Sequence, residues 1–397
     1  MKKTENVILK VYKYFLPSAW KKYKGYFVVR FLRLVVTTIM PFIPILLMPR
    51  IVDELLGGRD ASKLWTYVMM IIGSEFILSL LNGLCGNIIE RYAVKFENYY
   101  KQIMSTRIME LDFQLTEDKK ALDQMELAKN GMTWYSGGLN GIVEPLFNMA
   151  SSLLTVSGVI LIIVTQAPVV LLISLIILVV AGYLNQKANE IEQKQYAELS
   201  KVNRVFGYMG WELADFRYGK DIRLYNAKDM MVEKWKFYSK EMENQWETMF
   251  RKMRPLALLM SFVDILREFG IYFYLGVLAI TGKITIGVTT QMFTAAGTAF
   301  NSMKNLIIGY QDLCKRANYA NEYVKFMDYP AAIQKGNKPV AEGAHAFEFK
   351  NVSFSYPGSE VEVLKNINLK LTPGEHLSIV GLNGEKKTTL VKLLCRL

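Results

Sequence analysis

Apolar residues along this chain gather into runs instead of alternating with polar ones. A helix needs about 20 consecutive apolar residues to cross a bilayer. Runs at residues 26–49, 64–89, 141–165, 167–184, 255–281 and 284–308 meet that length closely enough to predict six transmembrane helices. Pro41 and Pro44 should kink the first. Only "TQAP" separates the third from the fourth, so these two form a tight hairpin. The sixth is the weakest, because its threonines, Gln291 and Asn301 suit a helix facing water or protein.

The connections are very unequal. Residues 90–140 and 185–254 are long, free of proline and rich in helix formers, as in "FENYYKQIMSTRIMELDF" and "NEIEQKQYAELSKVNRVFGYMGWELADF". They should prolong the membrane helices as stalks. After Tyr310, "KRANYANEYVKFMDYP" predicts a last helix closed at Pro330. "AAIQKGNKPVAEGAH" is small, polar and contains Gly and Pro, which marks a linker. From Ala346 the period changes to two, with Pro357-Gly358 and Pro373-Gly374 as turns between strands. The domains are therefore 1–328, 329–345 (linker) and 346–397.

Charge adds an orientation. The net charge of +12 would suit a nucleic-acid binder, but the basic residues alternate with the apolar runs, which excludes nucleic acid and favours a lipid bilayer. Seven Lys lie in the first 24 residues, seven Lys/Arg in 90–140, fourteen in 185–254 and twelve in the tail from 309. The short connections hold only Arg50, Arg59, Lys63 and Lys283. Basic residues stay cytoplasmic, so both termini and both long connections belong inside, in a multi-pass protein of the cell membrane. No cleavable signal peptide is visible. Cys85, Cys314 and Cys395 lack metal-ligand spacing, and His345 and His376 have no catalytic partner in sequence.

Candidate chemistry lies at the end. Strand "LSIV" runs into "GLNGEKKTT", and "TLVKLLCRL" has its leucines at helical spacing. That order suits a phosphate-binding loop, in which backbone N–H groups and a helix N-terminus receive phosphate and a lysine neutralises its charge. The match to G-x-x-x-x-G-K-[ST] departs at Lys386, where the second glycine belongs.

Taken together, the six long runs, the stalks, the linker, "VSFSYPGSEVEVLKNINLKLTPGEHLSIVGLNG" and the loop resemble an ATP-binding cassette (ABC) half-transporter of the exporter type, over essentially the whole chain. The resemblance implies a mainly α polytopic membrane protein whose six helices carry long cytoplasmic extensions, followed by an incomplete α/β P-loop domain. It implies ATP and Mg²⁺ as cofactors, an unknown exported substrate, and a homodimer or a heterodimer with another half-transporter. Tyr356 would stack on adenine. Gly381, Asn383 and Gly384 would form the loop, Lys387 would hold the β/γ-phosphates, Thr388 the Mg²⁺, and Thr389 the α-phosphate side. Leu115–Asn130 and Ala214–Ala227 resemble the two regions where stalks dock on nucleotide domains.

Two departures qualify this. A Cβ at Lys386 hinders close backbone approach to phosphate, so weaker ATP binding is expected. Past the loop helix, the family's acidic Mg²⁺ strand (Walker B) with its catalytic glutamate, its signature motif and its switch histidine have no counterpart before Leu397. The chain alone is therefore expected not to hydrolyse ATP, and a premature stop is the simplest account of its ending. A non-catalytic membrane subunit whose partner supplies ATP hydrolysis, or an ATP-independent carrier, are the alternatives.

Ionisable residues inside apolar runs are costly and functional by default. Glu75 lies in the second run, and Asp264, Arg267 and Glu268 in the fifth, at i, i+3 and i+4. They are either substrate-cavity residues or polar glue between helices. Arg30 and Arg33 are expected to snorkel to cytoplasmic headgroups.

Overall fold

The structure is a computed structural model. It describes residues 2–395 except 112, 114, 116–117, 133–136, 330–341, 357–360 and 383–385, with backbone alone at 2–6, 119, 130, 139, 193, 196–209 and 211–214. Most of the linker and the Pro357-Gly358 turn therefore lie outside the described residues.

Helices dominate: α1 Lys2–Lys22, α2 Lys24–Ile39, α3 Phe42–Leu56, α4 Ala61–Glu110, α5 Lys119–Asn130, α6 Gly138–Gln166, α7 Pro168–Ala214, α8 Gly219–Leu224, α9 Lys228–Ile280 and α10 Ile286–Met327. Strands β1 Phe347–Phe354 and β2 Leu364–Leu371 and a last helix α11 Lys387–Leu394 follow. The stalks are continuous with the membrane helices, as expected: α4, α7, α9 and α10 run 50, 47, 53 and 42 residues.

Among the described residues, four helical segments are long and apolar enough to cross a membrane: Lys24–Leu56, Ala61–Glu110, Asn140–Gln166 and Pro168–Glu192. The fifth and sixth runs are helical too, within α9 and α10. Asp264, Arg267 and Glu268 in one, and the threonines of the other, keep them below that threshold. The first span is broken at Met40–Pro41, between α2 and α3. Pro41 and Pro44 lack an N–H and crowd the carbonyls four residues back, so the ladder is interrupted where the sequence predicts. Between α6 and α7 the hairpin has a single residue, Ala167, with Pro168 opening the next helix.

Compact packing divides the chain into two units, residues 17–93 with 140–315, and residues 1–16 with 94–139 and 316–397. In the first, Ile45, Val159, Ile163, Ala167, Val170, Ile271, Leu275, Met292, Ala295, Ala296 and Ala299 form a buried cluster. Expected spans one, three, four, five and six all contribute to it. Lipid offers no hydrophobic gain for burying one apolar helix on another, so close approach through small residues does the packing. Three buried alanines on α10 supply that.

The second unit contains an aromatic knot. Phe15 lies 5.0 Å from Tyr100 and 5.7 Å from Tyr323, centroid to centroid. The Tyr323 hydroxyl donates to the Tyr100 carbonyl at 3.0 Å. Burial, reinforced by neighbouring tyrosines, pushes the Tyr323 phenol above its ordinary range, which keeps it a neutral donor. The first part of helix α1, not anticipated from its lysines, fits here: Val11 and Phe15 share one buried face.

Strands β1 and β2 pair antiparallel, Phe347 opposite Leu371 and Phe354 opposite Leu364, with irregularities around Val352. Pro373-Gly374 is a turn, as expected: Gly374 has φ +82 and the Glu375 N–H reaches the Thr372 carbonyl at 3.1 Å. The Thr372 N–H and hydroxyl both donate to the Glu375 carboxylate, holding it below the usual range. Expected strand 377–380 is not a strand. Residues 375–382 have no regular structure, and Val380 and Leu382 are 91% and 77% exposed. The sheet among the described residues has only β1 and β2, and this segment pairs with neither.

Candidate nucleotide site and membrane charges

The loop turns into its helix at Lys386, whose φ of 62 and ψ of 14 are left-handed. A side chain there costs about 1–2 kcal/mol relative to glycine, so the backbone keeps the glycine conformation that the residue type opposes. The Lys386 carbonyl accepts from the N–H groups of Thr389 (3.0 Å) and Leu390 (3.2 Å), starting α11. Lys387 folds back on the loop, its ammonium donating to the Gly381 carbonyl and, at 2.9 Å, to that of Leu382. Thr388 is exposed at the first turn, and Thr389 is buried. The Tyr356 hydroxyl and Thr389 Oγ1 are hydrogen-bonded at 3.0 Å. Tyr356 packs edge-on against Phe354, centroids 5.1 Å apart.

Tyr356, Gly381, Lys387, Thr388 and Thr389 are thus gathered around one turn and one helix N-terminus. Asn383 and Gly384 lie outside the described residues. A helix start, a flexible ammonium and an exposed hydroxyl fit a polyphosphate chemically. Among the described residues, no group of three His, Cys, Asp or Glu side chains could hold a metal ion.

Both expected docking regions contain a short helix capped by an aspartate. Asp118 accepts from the Lys120 N–H at 3.2 Å and starts α5. Asp215 accepts from the Arg217 N–H at 2.9 Å ahead of α8. The Arg217 side chain, then its backbone N–H, holds the Asp215 carboxyl below the usual range. Around α8, Phe216, Leu224 and Tyr225 are 99%, 71% and 77% exposed.

Of the charges in the apolar runs, Arg267 is buried, its guanidinium 4.0 Å from the Phe300 ring centroid and 3.3 Å from Glu268. Its Nε has no partner. The expected three-residue grouping reduces to Arg267 and Glu268. Asp264 is half-buried on the same helix, and Glu75 is half-buried on α4.

Arg30 does not snorkel. It is 2% exposed inside the bundle. Its guanidinium donates to the Tyr26 hydroxyl at 3.2 Å and to Asn140 Oδ1, and it lies 4.0 Å from Glu144. Tyr26 also donates to Asn140 at 2.7 Å. Arg33 is held too, its Nε donating to Asn82 at 3.0 Å. For Arg30, water and headgroups are replaced by fixed partners on α2 and α6, so it stays inside, whereas Arg33 is half-buried.

No family model matches the chain. The subtilin transport ATP-binding protein SpaT of Bacillus subtilis is 26% identical over 91% of this chain and 58% of its own length. The ATP-dependent lipid A-core flippase of Salmonella typhimurium is 22% identical over 56% of this chain and 38% of its own. The solved structure of a bacterial Atm1-family ABC exporter with ATP bound superposes with a TM-score of 0.73, at 15% identity, over 95% of this chain and 66% of that one. The chain has the ABC exporter fold. It is a multi-pass membrane chain that spans between about four- and six-tenths of the length of these two sequence relatives.

Within this ABC exporter fold, sequence reasoning missed the Tyr26–Arg30–Asn140–Glu144 cluster. A signal was present: Arg30 stands four residues after Tyr26 inside an apolar run, and an intramembrane arginine is a candidate for function or pairing by default. It also missed Thr37 and Thr38, whose hydroxyls lie 3.1 and 3.0 Å from that of Ser151.

Proposed function

We propose that this chain is the membrane half of an ATP-driven exporter, working as a homodimer or with a related half-transporter. The observation that supports this best is the combination of an ABC exporter fold with a left-handed turn at Lys386 feeding Lys387, Thr388 and Thr389 into a helix start. ATP would supply binding energy for dimer closure and a transferable phosphoryl group. Lys387 would neutralise the β/γ-phosphates, Thr388 would orient Mg²⁺, Thr389 would meet the α-phosphate side, and Tyr356 would exchange its Thr389 hydrogen bond for contact with adenine. Lys386 weakens this site because its Cβ hinders backbone approach to phosphate. Glu75, Asp264, Arg267 and Glu268 are the candidate lining of the transport path.

Both termini and the stalks face the cytoplasm in this reading, following the asymmetry of basic residues. A cysteine introduced near Arg59 should react with an impermeant maleimide from outside intact cells, and one near Lys228 should not. The reverse pattern would invert the topology.

These 397 residues contain no counterpart of the acidic strand, signature motif or switch histidine on which hydrolysis in this family depends. The purified chain should show no ATP turnover above background, and Lys386→Gly should not create any. Turnover that rises with purity and disappears in Lys387→Ala would overturn this. A partner-dependent membrane subunit is the second reading; turnover restored only on mixing with another half-transporter would select it.

A further inference from the structure

The end of the membrane bundle that carries the short connections has its own fastening. Helix α10 begins at Ile286, and Thr285 caps it locally, its Oγ1 accepting from the Val288 N–H at 3.1 Å. A second cap comes from Asp53, in the last turn of α3. Its Oδ1 accepts from the Gly287 N–H at 3.0 Å, and its Oδ2 from the Thr285 hydroxyl at 3.3 Å. One helix thus borrows its N-terminal cap from another helix more than two hundred residues earlier.

The fit is close. A Cβ added at Gly287 would lie 2.4 Å from all three carboxyl atoms of Asp53, so only glycine admits this approach. The Asp53 end is itself braced: the Asp60 N–H donates to Glu54 Oε1 at 3.0 Å and the Arg59 N–H to the Glu54 carbonyl at 2.7 Å. A carboxylate also complements the positive end of the α10 dipole. Deeper in the bundle Ile45 of α3 shares an apolar cluster with Met292, Ala295, Ala296 and Ala299 of α10. Apolar contacts of that kind can slide. The cap cannot.

We propose that Asp53 is a releasable latch: it holds α3 to the N-terminus of α10 while this end of the bundle is closed, and lets go when it opens. This rests on the exporter reading, since only a transporter needs that end to open. Release is feasible because the Asp53–Thr285 bond is exposed and the Asp53–Gly287 bond only partly buried. Water can take over both partners as they part. The Arg30 cluster, by contrast, has a guanidinium that is 2% exposed and suits a permanent joint.

The test measures one distance. Spin labels placed at Leu55→Cys and Ile286→Cys, both exposed positions, would be followed in the full chain in lipid nanodiscs with Cys85, Cys314 and Cys395 replaced. With Asp53 and Gly287 intact, a single short-distance population is expected. Asp53→Ala should shift the open-to-closed ratio about tenfold, the order expected for one lost charge-assisted hydrogen bond. Gly287→Ala should do the same with the carboxylate still present. A single unchanged distribution in either variant, or separated labels in the intact chain, overturns the latch. The readout needs neither ATP nor substrate, so a chain that transports nothing still reports on it, and failure of the exporter reading remains distinguishable.

Discussion

The stalked membrane helices and the segment from Glu375 to Leu382 are both strongly apolar in part, yet one forms its expected structure and the other does not. Helix α4 runs 50 residues without a break. "LSIV" stays irregular, with Val380 91% exposed. The difference lies in where the backbone hydrogen bonds go. A helix satisfies its own N–H and C=O groups along the segment, so an apolar run long enough to cross lipid folds whatever surrounds it. A parallel strand borrows every bond from its neighbours, and is stable only with both faces covered. Among the described residues 377–380 pair with neither edge of the two-stranded sheet of β1 and β2, and no further strand covers them.

A second contrast separates joints within the helical part. The Arg30 cluster is buried and bonded to residues on α6, whereas the nucleotide loop is open and bonded largely to itself. Breaking the first should therefore have the largest effect. Arg30→Ala leaves Asn140 and Glu144 facing an apolar interior, and removing one partner of a buried pair costs about 3–5 kcal/mol. Glu144 retains 36% of its side-chain exposure, which puts the expectation near the lower end. Denaturant titration in detergent reads it. Arg33→Ala is the comparison, since its one observed partner is Asn82. Equal small losses for both would mean that Arg30 is solvated after all.

Much of this was legible in the sequence. Hydrophobic period and length located the membrane helices, the proline break and the one-residue hairpin, because each is a local property. Aspartate caps at Asp118 and Asp215 are local too, although they were not anticipated. The sequence showed that a Cβ stands where the motif has glycine, and the left-handed backbone at Lys386 is what the structure adds. Long-range partnerships were not legible. Nothing near Arg30 in sequence announces Asn140, and nothing near Asp53 announces Gly287. The same limit explains the fifth run, where spacing suggested that Asp264 would join Arg267, while the guanidinium instead rests on Phe300 from another helix.

Smaller effects are expected at the loop. In a chain carrying a complete nucleotide domain behind this sequence, Lys387→Ala should weaken ATP binding about tenfold to a hundredfold, the equivalent of roughly 1.5–3 kcal/mol for a charged hydrogen bond. The lower part of that range is favoured because Lys387 must first leave the carbonyls of Gly381 and Leu382.

Lys386→Gly, titrated in the same complete chain with a fluorescent ATP analogue, tests the reading of this loop most directly. Its φ of 62 places a side chain where glycine costs nothing. The turn is already left-handed, so the gain comes from removing the Cβ that hinders backbone approach to phosphate, and binding should tighten. Weaker binding in Lys386→Gly would contradict the account, because it would make Lys386 a phosphate ligand in its own right and the loop an altered site in place of a hindered one.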